Sequence, residues 1–398
     1  MRAQAVGGSV DGADIAPSSK PWIDRRGNVD AAEFRRDYLQ PRRPVVLTDA
    51  LRQWPALREF TPEFFRLVYK PGHYLRKAVT FAALSLKRLD SLRDLSRFDV
   101  VFIYREIFPL GPPIVERLVV SRRGPPIVFD FDDAIFLPSV SDANRLIAAL
   151  KQPGKVRTII RQSDRVIVGN DYLASYARRY SDAVTVIPTS VDLSRFVPRP
   201  PAAAGSGTAS GPPVIGWIGS PTTGAYLRAL TPVFQKLAER RKFVLRISGT
   251  ADPVTIPGVE VDNTPWTLGR EVELFNTCDV GVYPLPDDDW SKGKCGFKAI
   301  QFMACGVPVV SSAVGVNREI IQDGVNGYLA STDDEWVARL ERLLLDAELR
   351  RRFAEAGRGT IAERYSLEVN APKLAAALRE AARGRGERNK AGSVKNSR

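Results

Sequence analysis

Short apolar runs separated by helix-period segments recur along most of this chain. DVVFIY (99–104), IVFDF (127–131), the RVIV of DRVIVGN, VTVI (184–187), VIGWI (214–218), FVLRISG (243–249), DVGVYPL (279–285) and VPVV (307–310) each read as a short buried strand. Their separation by helical stretches predicts parallel strands in an α/β fold. Ser291–Ala330 carries more than fold. Phe297, Ile300, Gln301 and Ala304 fall at helical spacing, Gly306 is placed to stop that helix, and Val307–Val310 follows as a strand. Lys292, Lys294 and Lys298 crowd the predicted first turn. The helix dipole is positive there and disfavours each cation by a few tenths of a kcal/mol, roughly. A phosphate or pyrophosphate would offset that charge and accept bonds from the free N–H groups of the turn. The competing reading is that the lysines are merely solvated.

Composition narrows the partners. The 398 residues suffice for two domains, and the formal net charge of +13 favours polyanions, whether nucleic acid, acidic lipid headgroups or phosphorylated substrates. No strip of aromatics interleaved with basic residues and no zinc-finger spacing occurs, so the last two are preferred. Part of the excess charge lies in Arg383–Arg398, a tail whose composition reads as disordered. Such a tail either keeps a protein soluble or holds it to an anionic membrane at roughly 1 kcal/mol per basic residue near the surface. Ala78–Leu86, flanked by basic residues, reads as a helix packed on a core or one lying on a membrane. Cys278, Cys295 and Cys305 are odd in number and lack metal-ligand spacing, so they read as reduced thiols. Neither a secretory signal nor a run long enough to span a bilayer is present, which predicts a soluble cytoplasmic protein, with the tail as a means of peripheral contact at the inner face of the membrane.

GKCGFKAIQFMACGVPVVSSAVGVNREIIQDGVNGYLA resembles the donor-binding segment of the family 4 (group 1) retaining glycosyltransferases. VIGWIGSPTTGAYLRALTPVF resembles the opening strand, phosphate loop and first helix of the same domain. FDVVFIYREIFPLG, IVFDFDDAIF and DRVIVGNDYLASYARRYSDAVTVIPTSVDLSRF resemble consecutive pieces of the acceptor-side domain. The match is collinear over about residues 74–379. It implies a GT-B fold, two facing Rossmann-like domains, the N-terminal one lacking its usual first strand and glycine loop. The implied organisation is an acceptor-side domain (73–197), a linker rich in Pro, Ala, Gly and Ser (198–213), a donor domain (214–360), a C-terminal crossover helix (361–382) and the basic tail (383–398).

By themselves, Asp132 and Asp133 at the end of a strand could bind a metal, act as a base or cap a helix. The resemblance makes Asp130–Asp133 a cleft-facing run that orients the acceptor hydroxyl, and gives Lys298 a catalytic part beside Asp132 and Asp133 by neutralising the leaving diphosphate together with Lys294. It places Gly219 and Ser220 at the phosphate loop, Trp266 beside the base (core packing being the alternative), and Gly315, Val316 and Asn317 in a turn that presents amides to the donor. Many members of the family carry two glutamates eight residues apart here. The matching positions are Gly293, which has no side chain, and Gln301, which can still bond a ribose hydroxyl. No metal and no cofactor beyond the nucleoside-diphosphate sugar are implied.

Residues 22–69, including PVVL, WPAL and FTPEFF, resemble instead the opening of cupin-type, JmjC-like 2-oxoglutarate oxygenases. Those enzymes hold iron with two histidines and a carboxylate. This chain has one histidine, His73, so that site cannot be assembled and 1–72 reads as a fused fragment or extension. The expected function is transfer of a sugar, with retention, from a nucleoside-diphosphate sugar to a glycan or lipid-linked acceptor, as in polysaccharide biosynthesis. The alternatives are a catalytically impaired nucleotide-sugar-binding remnant and a nucleic-acid binder driven by net charge.

Overall fold

The computed structural model describes residues 24–26, 45–47, 98–105, 124–137, 152, 154–199 and 211–395, with the side chains of the last helix described to residue 383. The chain falls into two compact units, 1–94 and 95–398. In the first, Asp24–Arg26 (β1) and Val45–Leu47 (β2) pair as parallel strands. The remainder of the oxygenase-like segment, the junction at Gly72, His73 and the 78–86 helix lie outside the described residues.

The second unit holds two parallel sheets. Val101–Tyr104 (β3), Ile127–Phe131 (β4), Arg165–Val168 (β5) and Val184–Val186 (β6) form one, in sequential order. Among the described residues this sheet has these four strands and β3 is its edge. Val128, Phe129 and Phe131 of β4 are fully buried, as expected where helices cover a parallel sheet. Lys155–Gln162 (α1) precedes β5 and Asp171–Ala177 (α2) follows it. α2 starts where the Asn170 side chain accepts the Leu173 N–H at 2.9 Å.

The other sheet contains Val214–Ile218 (β7), Val244–Ser248 (β8), Glu260–Asn263 (β9), Val280–Tyr283 (β10), Val309–Ser312 (β11) and Tyr328–Ala330 (β12), in the order β12-β11-β10-β7-β8-β9. Chain progression reverses between β7 and β10. At such a switch point the connections leave to opposite sides and open a crevice beyond the carboxyl ends of the two strands. Gly224–Ala229 (α3), Thr231–Ala238 (α4), Glu271–Asn276 (α5), Asp289–Lys292 (α6), Phe297–Ala304 (α7), Asn317–Ile320 (α8), Asp333–Leu345 (α9) and Ala347–Arg364 (α10) connect and cover the strands.

Helix α7 lies close over the middle of this sheet. Gly281 of β10 faces the Phe302 ring, and a Cβ at 281 would stand 2.6 Å from Phe302 Cγ. Glycine is therefore required for this approach, which buries Phe302 completely and packs it edge-on against Phe275. Burial of one such ring contributes roughly 2–3 kcal/mol. The helix stops as predicted at Gly306 (φ 68°): the Val307 N–H reaches Phe302 O and the Gly306 N–H reaches Met303 O, the two bonds of a Schellman cap. That cap consumes Val307, so the strand predicted at 307–310 begins at Val309.

Leu367–Lys395 (α11) returns over the first sheet, where Ala377 and Ala381, with Leu374 and Leu378, pack on Val128, Ile167 and Val100. Glu380 meets Arg165 at 2.5 Å. The backbone stays helical to Lys395, into the tail expected to be disordered. Of the predicted 198–213 linker, residues 200–210 lie outside those described. No helix among the described residues is long and apolar enough to cross a membrane.

Candidate active site

The ends of β7 and β10 open onto a cavity of about 480 Å³. Ile218, Gly219 and Ser220 come from the first strand and Tyr283, Pro284 and Leu285 from the second, so the cavity sits at the switch point. Gly219, Ser220, Trp266, Lys294 and Lys298, predicted separately as donor residues, line it together. Trp266 is 44% exposed, which removes the core-packing alternative. The lysine cluster divides. Lys298 alone stands in the first turn of α7; Lys294 lies on the preceding loop with its ammonium 5.7 Å from the Trp290 ring centre. Lys292 ends the separate helix α6 and pairs with Asp287 (3.3 Å) and Asp289 (3.7 Å). The expectation that all three crowd one turn is corrected by the left-handed Gly296 (φ 68°), which breaks α6 from α7.

Beneath the cavity runs a buried polar network. The Lys298 ammonium donates to Gln301 Oε1 at 2.7 Å and stands 3.8 Å from Glu271 Oε1. Gln301 Nε2 donates to the same Glu271 oxygen at 3.1 Å, and Arg195 holds the other oxygen at 2.8 Å. Burial pulls the Lys298 pKa below its ordinary value, and Glu271 opposes that pull. Gln301 is 1% exposed with both ends of its amide engaged, so it stands behind the cavity wall instead of facing a ribose. Gly315, Val316 and Asn317 are also set back. Asn317 is fully buried and donates to Ser312 O at 3.1 Å; Gly315 backs onto Lys292, and Val316 packs beneath Gly296. These three support the turn that starts α7.

On the first sheet, Asp132 and Asp133 follow directly on β4 and share Arg105. Its guanidinium donates to Asp132 Oδ1 (2.9 Å) and Asp133 Oδ2 (2.6 Å), and the Tyr104 hydroxyl donates to Asp132 Oδ2 at 2.9 Å. Arg105 has φ 61°, a left-handed conformation that costs a non-glycine residue about 1–3 kcal/mol and is held here by both carboxylates and by its own N–H to Asp130 O. Burial raises the Asp133 pKa, while Lys294 and Arg105 lower it. Burial and the Asp132 charge push Asp130 up to about 7 against Arg105, and burial with Asp132 pushes Tyr104 to about 12. Among the described residues no group of three or more His, Cys, Asp or Glu could hold a metal ion.

The two halves of this unit touch at the same point. Asn170, 3% exposed, donates to Gly293 O (3.2 Å) and Lys294 O (3.0 Å), and the Cys295 thiol donates to Asp132 O at 3.1 Å. The Asp133 charge also acts on the cavity-lining Tyr226 and Tyr283. The aspartates and the cavity therefore belong to one site. Asn170→Ala is expected to lower unfolding free energy by roughly 3 kcal/mol, through a lost helix cap and two stranded carbonyls. Asn170→Asp keeps the cap but turns an oxygen toward those carbonyls, and should lose at least as much in urea denaturation. A wild-type midpoint for both would refute the contact.

Tyr104, Arg105, Tyr226, Glu271 and Tyr283 escaped the sequence reading of the site. Glu271 opens an ordinary amphipathic helix, thirty positions from Gln301, and nothing local marks it. The signal available for Arg105 was its position just past a strand end, where ligands gather in parallel sheets.

The model of the family "Glycosyl transferases group 1" matches residues 259–360. A D-inositol 3-phosphate glycosyltransferase of Stackebrandtia nassauensis is 29% identical over 261 residues, 56% of this chain and 55% of the relative. The chain spans about half the length of the curated relatives it matches. Solved structures share the fold. Sucrose-phosphate synthase of Thermosynechococcus elongatus has TM-score 0.54 at 17% identity, covering 71% of this chain and 73% of its own. Anabaena HepE, solved with UDP and glucose, has TM-score 0.56 at 14% identity, covering 74% and 81%. Residues 259–360, which supply strands β9 to β12, both cavity lysines and the Glu271–Gln301 pair, thus match the group 1 glycosyltransferase domain model, and the chain carries a GT-B fold.

Proposed function

We propose that the chain transfers a hexosyl group, with retention, from a nucleoside-diphosphate sugar to a hydroxyl of a glycan or lipid-linked acceptor. The observation that carries this reading is the cavity at the switch point, where Lys294 and Lys298 meet the first turn of α7 within reach of the Asp133 charge. The donor diphosphate lies against Lys298 and the free N–H groups of α7, with the Gly219–Ser220 turn on its other side and the base on Trp266. As the bond from the anomeric carbon to the diphosphate breaks, the two lysines hold the charge that develops on the leaving oxygen. The acceptor hydroxyl, oriented by Asp133 and Asp132 on Arg105, forms the new bond on the same face, and its proton passes to the departing phosphate oxygen. The resident UDP of HepE supports a UDP-sugar as the first donor to try, and the net charge of +13 supports an acceptor presented at the anionic inner face of a membrane.

The test is a thermal-shift and donor-hydrolysis panel of UDP- and GDP-sugars on the full chain. Stabilisation with slow sugar release by one donor is the expected result. Stabilisation without release would make the chain a nucleotide-sugar binder, and indifference to every donor would overturn the reading.

A further inference from the structure

Lys298 is the cation that enters the cavity from the first turn of α7, and Glu271 is the buried carboxylate that no part of the donor reading uses. The two are joined directly and through Gln301. Glu271 Oε1 faces the ammonium at 3.8 Å, it accepts the Gln301 amide at 3.1 Å, and that amide's oxygen accepts from Lys298 at 2.7 Å. Arg195 fixes Oε2 at 2.8 Å, so the oxygen left over points at the lysine. The rest of the surroundings are apolar on one side and cationic on the other. The Phe275 and Phe297 rings stand 5.4 and 5.6 Å from Nζ, and Lys294 lines the same cavity with Tyr226 and Tyr283.

From this geometry we infer that Glu271 is a positioning residue: through Gln301 it holds the Lys298 side chain aimed into the cavity and keeps it protonated there. An ammonium in a desolvated pocket is pushed toward its neutral form, and an opposite charge within about 4–6 Å reverses that by one to several pH units. A neutral lysine would donate to a phosphate weakly and carry no charge to match a developing diphosphate. Gln301 serves as the spacer. Its amide is satisfied at both ends, so the carboxylate organises the ammonium without forming a tight pair with it that an incoming phosphate would have to break. The purpose of this arrangement rests on the donor reading above, but its existence can be tested with no donor present.

The experiment is trace acetylation of the full chain by acetic anhydride from pH 7 to pH 12, with Lys298 followed by peptide mass spectrometry, on the wild type, Glu271→Gln, Glu271→Asp and the swapped pair Glu271→Gln with Gln301→Glu. In Glu271→Gln the midpoint of Lys298 reactivity should fall by about one pH unit or more, a tenfold change in proton affinity. Glu271→Asp should lie between, and the swapped pair should return to the wild-type midpoint or above it. Lys242, exposed just before β8 and not among the residues that line the cavity, is the internal reference. An unchanged Lys298 midpoint in Glu271→Gln overturns the inference. Should that variant fail to fold, an unchanged midpoint in Glu271→Asp does so. Failure of the donor panel with the predicted shift intact would leave the positioning in place and remove only its proposed use.

Discussion

Replacing Lys298 by alanine should weaken donor binding and sugar release together while leaving the fold in place. The ammonium is largely buried, its neighbours Phe275 and Phe297 supply no charge, and Lys292 is held by Asp287 and Asp289 and does not replace it. Truncating one partner of a desolvated charge pair costs about 2–5 kcal/mol, so affinity for a nucleoside diphosphate should fall roughly thirtyfold or more. Glu271 keeps Arg195 and Gln301 as partners in the variant, and its stability should change little. Isothermal titration with UDP and GDP, alongside thermal denaturation, separates the two effects. Binding within a few-fold of wild type would take Lys298 out of the donor site.

Restoring a carboxylate at position 293 should destabilise the protein without adding activity. The family resemblance places a sugar-contacting glutamate there, and Gly293→Glu is the substitution that tests whether the site could accept one. A Cβ at 293 would stand 2.6 Å from Ala134 Cβ and 3.0 Å from the Ala134 nitrogen. The second of these is backbone, which cannot rotate away. The added carboxylate would also enter beside Asp132 and Asp133, at the point where Asn170 and Cys295 tie the two halves together. Overpacking with an added buried like charge is expected to cost about 4 kcal/mol, read as a lowered urea midpoint. A variant as stable as wild type, with faster sugar release, would mean that the space behind Gly293 is open in solution.

The missing glutamate is thus explained by a contact that the sequence could not reveal. From the motif alone, glycine at 293 looks like a lost ligand. In the structure it is the position where the loop after β4 presses against the loop before α7, and glycine is the residue that fits. Gln301 follows the same logic: its position in the motif suggested a ribose ligand, yet packing turned its amide inward to Glu271 and Lys298.

What the sequence determined by itself was everything carried by short-range pattern. The apolar runs gave strands within a residue or two of where they stand, and the Gly306 stop was legible because left-handed backbone selects glycine; Gly219, Ser220, Trp266, Lys294 and Lys298 were named through the family resemblance, and the strand order that gathers them at one cavity is tertiary. Tertiary structure alone decided which charges meet. Asp132 finds Arg105 across 27 positions, Gln301 finds Glu271 across 30, Asn170 finds Lys294 across 124 and Cys295 finds Asp132 across 163. Periodicity records which face of an element is buried, because burial repeats every two or 3.6 residues. It holds no record of which polar group lies opposite, since that is fixed once for each contact by the packing of whole elements, and a single buried carboxylate leaves no repeat to read.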